Sequence, residues 1–229
     1  MSRNKNSNPV PEEVSHPELV DGCNPAEGYT KFSCHFIERD CIDNAEIEEL
    51  IYWRKKLHVH GFIGMGKDNI SFGNISKRIS EREFIISGTN TGKPRITNKE
   101  HYSKVRGWNI LENFVACTGL IPASSETLSH AAIYEKLDFI NAVIHLHDNL
   151  IWEKYRHLLP TTADNAAYGT VKIAIEIKKI LSNETASKKG IIILGGHRDG
   201  ILVFGQSLEE AYNILTSIFN DNKLLRKSI

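Results

Sequence analysis

Two histidines one residue apart close an apolar run, Ala142-Val143-Ile144-His145-Leu146-His147-Asp148. Alternate side chains of a β-strand share a face, so His145 and His147 project together while Leu146 faces the other way. Two imidazoles fixed on rigid backbone form half of a site for a divalent cation such as Zn2+, which then needs a third ligand. A third histidine, His197, lies in Leu194-Gly195-Gly196-His197-Arg198-Asp199-Gly200, after another apolar run and among glycines that let the backbone turn tightly. One carboxylate, Glu126, follows Ser124 and Ser125 at a helix start, where the helix N-terminus and hydroxyl groups favour anions, including a substrate phosphate. Three histidines with an open coordination position and a nearby carboxylate describe a Lewis-acid site with a general base. His130, four residues beyond Glu126, shares its helix face and either orients that carboxylate or packs. A second His-x-His, His58-Val59-His60, precedes Gly61 at a helix end and reads as structural.

The elements that must position these groups alternate along the chain. Asp43-Asn44 caps a helix in which Ile47, Leu50, Ile51 and Leu57 share a face, ending at Gly61. Strands are expected over residues 70–79 and 83–87, joined by Ser80-Glu81-Arg82, with a Gly- and Thr-rich loop, residues 87–94, behind them. A polar segment with a short helix of its own follows, then a helix from Ser124 to about Lys136 and the His145 strand. Residues 168–181 read as a helix, because Val171, Ala174, Ile177 and Leu181 share a face, although Val171, Ile173, Ile175 and Ile177 also alternate. Buried strands at 190–194 and 201–204 precede a final helix opened by the capping-box spacing Ser207-Leu208-Glu209-Glu210. Helical stretches of this length exclude an all-β metal-binding barrel of the cupin type.

Residues 1–40, rich in Pro, Asn and Ser without an apolar period, read as a flexible or loosely packed arm, leaving 41–229 as one domain. Hydrophobic residues make up 41% of the 229, and the 28 basic residues balance the 28 acidic ones. A zero net charge argues against a general nucleic-acid or anionic-membrane surface. Four cysteines without CxxC spacing, and no apolar stretch of signal-peptide or spanning length, lead to the expectation of a cytoplasmic protein.

Taken together and in order, these segments resemble the class II aldolase/adducin family of metal-dependent sugar-phosphate lyases and epimerases. The resemblance covers about residues 44–220. It rests on Gly73-Asn74-Ile75-Ser76-Lys77-Arg78, Ser87-Gly88-Thr89, Ser124-Ser125-Glu126 with His130 and Tyr134, His145-Leu146-His147, Tyr168-Gly169-Thr170, and 195–205 ahead of Ser207-Leu208-Glu209-Glu210-Ala211. It implies a three-layer α/β/α sandwich around a largely antiparallel central sheet, assembled as a homotetramer. It also implies that His145, His147 and His197 hold zinc or another divalent cation, and that Glu126 is the catalytic carboxylate. Asn74, Ser87, Gly88, Ser124 and Ser125 match segments that bind phosphate or nearby polar groups, the Gly88 N–H among them. The activity implied is carbon–carbon bond cleavage or formation in a small phosphorylated ketose through an enediolate. Dehydratase or epimerase chemistry at the same site, and a non-catalytic adducin-like scaffold, are the alternatives. Glu126 favours a lyase or dehydratase, since the epimerase branch usually carries aspartate there. The final residues 223–229 lack the tyrosine that aldolases of this family use as a proton donor.

Overall fold

The alternation that puts His145 and His147 on one face puts Ala142, Ile144 and Leu146 on the other, and both faces are covered. The computed structural model describes residues 32–226, so most of the expected arm, residues 1–31, lies outside the described residues. In chain order the elements are β1 (Ser33–Glu38), α1 (Asn44–Val59), β2 (Gly64–Met65), β3 (Ser71–Phe72), β4 (Asn74–Ser80), β5 (Glu83–Ser87), β6 (Tyr102–Asn109) and β7 (Phe114–Gly119). They continue with α2 (Thr127–Lys136), β8 (Ala142–His147), α3 (Asn149–Tyr155), α4 (Val171–Leu181), α5 (Glu184–Lys188), β9 (Ile191–Ile193), β10 (Gly200–Gly205) and α6 (Leu208–Arg226).

Eight strands form one sheet in the order β1-β7-β6-β5-β4-β8-β10-β9, and a separate hairpin pairs β2 with β3. Every neighbouring pair in the large sheet is antiparallel except β1 with β7. Val143, Leu202 and Phe204 pack on one side with Leu128 and Ile133 of α2 and Ile173 and Ile177 of α4. Ile144, Leu146, Ile201 and Val203 pack on the other with Leu50 and Leu57 of α1 and Leu208 and Leu215 of α6. The result is the expected α/β/α sandwich around a largely antiparallel sheet. Residues 171–181 are helical, with Ile173, Ala174, Ile177 and Leu181 buried, so the helical period prevails over the alternation.

Three readings from sequence change. The segment expected to be polar with one short helix has only a 3-10 turn, Lys99–His101, followed by the full strands β6 and β7. A register shift between Val105 and Gly107 breaks the period of two in β6. The charge of Lys104 is buried against Glu46 at 2.8 Å. Residues 33–38, assigned to the arm, form the edge strand β1, because Cys34 and Phe36 pack against the α2/α4 core. The strand expected over 70–79 divides at Gly73, whose φ of +73° excludes most side chains and whose added Cβ would meet the Phe62 carbonyl at 2.8 Å.

Two polar ties set the helices against the sheet. Arg78 of β4 donates from Nε to the Ile140 carbonyl at 2.8 Å and from Nη2 to the carbonyls of Tyr134 and Leu137, closing the C-terminal end of α2. Lys104 of β6 holds Glu46 in the first turn of α1. Burial raises the Glu46 pKa, but the Lys104 ammonium and the Asp43 backbone N–H outweigh it, and the net shift is downward. A carboxylate depressed in the folded state stabilises above its unfolded pKa, and that contribution is lost as pH falls through the folded value. Glu46→Gln is therefore expected to cost about 1 kcal/mol near neutral pH, the modest figure of a partly exposed pair. In urea melts the difference from wild type should close at a pH below the ordinary carboxylate value of about 4.3; a difference independent of pH would show that the pair contributes nothing.

Candidate active site

The start of β4, the ends of β5 and β8 and the start of β10 lie at one end of the sheet, and α2 brings its N-terminus to the same place. There they enclose a cavity of about 700 Å³. His145 is buried and His147 half-buried on β8, facing the α2/α4 layer. His197 arrives from the β9–β10 turn, which closes through His197 N–H to Leu194 O at 3.2 Å and Gly200 N–H to His197 O at 2.9 Å. The three rings sit with centroids 4.7 to 5.1 Å apart. One nitrogen from each lies within 4.8 Å of the others. The sequence-predicted triad is therefore assembled.

Register accounts for the space it needs. Gly200 stands opposite His147 in the β10–β8 pair, and a Cβ there would meet His197 Cδ2 at 2.3 Å. Phe72 of β3 stacks on His147 with centroids 5.3 Å apart, and Tyr168 meets His197 edge-on at 4.7 Å. Neither aromatic was singled out as a site residue. Tyr168 stood inside a matching segment, whereas nothing local to Phe72 reveals that its hairpin folds back over β8.

The donor set fits a divalent cation. His145 Nε2 is buried without a hydrogen-bond partner. Burial, then the neighbouring imidazoles of His147 and His197, holds the His145 pKa well below its ordinary value, and burial holds His147 down to about 4. Neutral imidazoles keep the lone pairs that a metal needs. His147 Nε2 and His197 Nε2 are 2.7 Å apart, so one of them carries an N–H that a bound cation displaces. Fixed aromatic nitrogens suit zinc and similar borderline cations.

Asn74 lines the cavity and also meets the histidine cluster. It stands directly opposite His145 in the β4–β8 pair, with its Nδ2 3.3 Å from His145 Nδ1, while its own Oδ1 is buried and unsatisfied. Turning the amide over lets Oδ1 accept a hydrogen bond from Nδ1–H and leaves the Nε2 lone pair directed away, the usual arrangement behind a metal-bound histidine. Ser87 is also spent elsewhere, since its Oγ accepts the Ile75 N–H at 3.1 Å and it does not line the cavity. Gly88 lines the cavity, but its N–H donates to the His101 carbonyl at 2.8 Å and is not available to an anion. Ser124 Oγ accepts the Glu126 N–H at 3.3 Å, and Ser125 lines the cavity, half-buried. These commitments are made to residues distant in sequence or to backbone, so short motifs do not display them.

Glu126 ends the turn that enters α2 and is buried, with Oε1 3.8 Å from His197 Nδ1. Ser129 donates from Oγ to Glu126 Oε2 at 3.1 Å and so helps to orient the carboxylate. The open question over His130 resolves towards packing. Its Nδ1 lies 2.6 Å from Ser76 Oγ, which also meets the Tyr134 hydroxyl at 2.8 Å, and complete burial pushes its pKa down to about 3. Of the two charged turn residues, Arg198 lines the cavity and Asp199 does not. The control pair behaves as structural, His58 Nε2 lying 3.3 Å from the Lys93 carbonyl and the His60 ring packing near Phe62.

A mixed sandwich with three convergent imidazoles and a buried carboxylate beside them defines a chain with the fold and donor set of the metal-dependent aldolases. Residues 48–220 match the family model described as the class II aldolase and adducin N-terminal domain, and the chain belongs to that family. Similar solved structures include YgbL from Escherichia coli, 19% identical with a TM-score of 0.58 over 79% of this chain and 88% of that one. L-fuculose-1-phosphate aldolase from Thermus thermophilus is 22% identical, with a TM-score of 0.56 over 80% and 94% of the two chains. A sugar-phosphate aldolase from Thermotoga maritima is 15% identical, with a TM-score of 0.58 over 80% and 94%. No curated protein sequence matches the chain. No helix among the described residues is long and apolar enough to cross a membrane.

The supports behind the triad are directly testable. Asn74→Ala should weaken zinc binding about 10- to 100-fold, read by competition with a chromophoric chelator, and an unchanged affinity would remove Asn74 from the site. Gly200→Ala, which drives a methyl group into the His197 ring, should weaken zinc at least as much while circular dichroism stays that of the wild type.

Proposed function

We propose that this protein is a divalent-metal-dependent lyase of aldolase type, making or breaking a carbon–carbon bond in a small hydroxylated ketose. The observation that carries the reading is the convergence of His145, His147 and His197 in one cavity with the buried Glu126 carboxylate 3.8 Å from His197. His145, His147 and His197 would hold the cation, with zinc the choice their nitrogens favour. When bound, the cation supplies the positive charge that offsets the enediolate formed as the bond breaks. A homotetramer, the assembly implied by the family resemblance, belongs to the same proposal.

The residues of the chain then have separable tasks. Asn74 and the packing of Phe72 and Tyr168 hold the imidazole rings in place. In the cleavage direction a hydroxyl proton leaves, a carbonyl forms at that carbon, and the electron pair of the broken bond passes to the ketose fragment as an enediolate. A proton must then be placed on the enediolate carbon, and Glu126 is the group positioned to move it. Ser129 fixes one oxygen of that carboxylate and leaves the other turned towards the histidine cluster.

The test is a zinc-loaded screen of phosphorylated and free ketoses, reading aldehyde release and solvent-deuterium exchange at the carbon next to the carbonyl. Glu126→Gln should retain zinc and lose turnover and exchange by about 10²- to 10⁴-fold, and His145→Ala should lose the metal. Unchanged turnover in the glutamine variant would take Glu126 out of the mechanism. Absence of both cleavage and exchange across the panel, with zinc bound, would overturn the lyase reading.

A further inference from the structure

Two thiols meet at the edge of the large sheet, away from the histidines. Cys34 lies on β1 and Cys117 on the neighbouring β7, 83 residues further along the chain, with their sulfurs 3.6 Å apart. Both face the α2/α4 layer, where Cys117 is buried and the half-buried Cys34 packs from the edge. In the parallel pairing Cys34 stands opposite Val115 and Phe36 opposite Cys117. The two cysteines are therefore one same-face step apart, and their side chains lean towards each other. Neither lines the histidine cavity.

A disulfide holds its sulfurs about 2.05 Å apart, so this pair must close by about 1.5 Å to form one. The movement falls to β1, an edge strand whose one neighbour in the sheet is β7, whereas β7 is held on both sides. Chemistry favours the same step. Hydrogen bonds to the Cys117 sulfur, first from Cys34 and then from the Ala123 N–H, outweigh burial and bring its pKa down to about 7. Near neutral pH the two sulfurs thus share a proton, and the thiolate is the form that attacks a disulfide. Cys41 stands apart, because its Sγ donates to Thr118 Oγ1 at 3.3 Å and it packs with the opposite layer. Cys23 lies outside the described residues.

We propose that Cys34 and Cys117 are a reversible redox site, oxidised by low-molecular-weight disulfides to an internal disulfide that staples β1 to β7. The half-exposed Cys34 attacks the small disulfide RSSR as a thiolate, forming a mixed disulfide with one RS group and releasing RS⁻. The Cys117 thiolate then attacks the Cys34 sulfur, the bond between the two cysteines forms, and a second RS⁻ leaves. The two thiol protons end on the two RS⁻ ions. Two protein thiols are thereby oxidised by two electrons while RSSR is reduced to two RSH, and excess RSH reverses both steps.

The experiment incubates the full chain with oxidised glutathione at neutral pH, both native and unfolded in urea. Samples are quenched with a maleimide and mapped by mass spectrometry of the non-reduced digest. Native wild type should link Cys34 to Cys117 about tenfold faster than the unfolded chain, the gain expected from the larger thiolate fraction. Cys117→Ser should stop with one glutathione on Cys34, and Cys34→Ser should leave the buried Cys117 a thiol. The oxidised wild type should also melt about 5 °C or more above the reduced one, because the bond closes a long loop. Linkage of Cys34 to Cys23 or Cys41 instead, equal rates in the native and unfolded chains, or no link at all would each overturn the proposal. An unchanged melting temperature with the link formed would show that it staples nothing. Should Cys117→Ser not fold, the native and unfolded wild-type rates decide alone.

Discussion

The pairing of β4, β8 and β10 at the centre of the sheet sets everything else in the site. In that register Asn74 stands opposite His145, and Gly200 stands opposite His147. A slip of one residue would turn His145 and His147 into the layer now filled by Ile144, Leu146, Ile201 and Val203. The apolar parity of β8 therefore does two things at once. It makes a slip expensive, since it would expose or misplace two fully buried aliphatic side chains (Ile144 and Leu146), and it thereby holds two polar rings on the one face where a third can reach them. Hydrophobic burial on one side of the strand specifies ligand geometry on the other.

Beneath the histidines runs a second polar layer, made of Ser76, His130 and Tyr134, all buried among apolar neighbours. Such a layer is tolerated because its hydroxyls and the His130 Nδ1 satisfy one another. Its members come from β4 and α2, the same two elements that Arg78 ties together at the other end of the helix. α2 is consequently fixed to β4 along its length, and the carboxylate at its N-terminus inherits that fixity. Glu126 is positioned less by its own contacts than by the helix that carries it. Tight placement of this kind is what a proton-transferring carboxylate requires.

How far this was readable from sequence follows from the range of each interaction. The triad and Glu126 were legible because their signals are local: alternation on a strand, glycines around a turn, serines before a helix. The sandwich was legible from periodicity, except where charge concealed it. β6 carries Lys104 and Arg106, with a register shift at Arg106, so neither its alternation nor its burial shows without the partners Glu46 and Glu83. The hydrogen bonds of Ser87 and Gly88 were hidden for a related reason. A hydroxyl and an N–H look available in a motif, but Ile75 and His101, each more than ten residues away, have already taken them. Arg54 of α1, buried with its guanidinium on the Pro94 and Thr91 carbonyls of the loop behind β5, was equally hidden, since an arginine on an amphipathic helix beside Lys55 and Lys56 reads as part of a solvated face.

That last case bears on how the cavity differentiates its two ends. With Ser87 and Gly88 committed to the protein's own backbone and Asn74 turned to His145, what lies behind the loop end is a charge held in the core. A buried guanidinium acts through the loop peptides with little screening, whereas a lysine on the cavity rim would be screened by water and salt. It also cannot lose its proton, so the polarity it imposes persists at any pH where the fold survives. At the histidine end, burial holds His145 and His147 neutral, which keeps their lone pairs for a cation. The charge behind the loop is thus set by the fold.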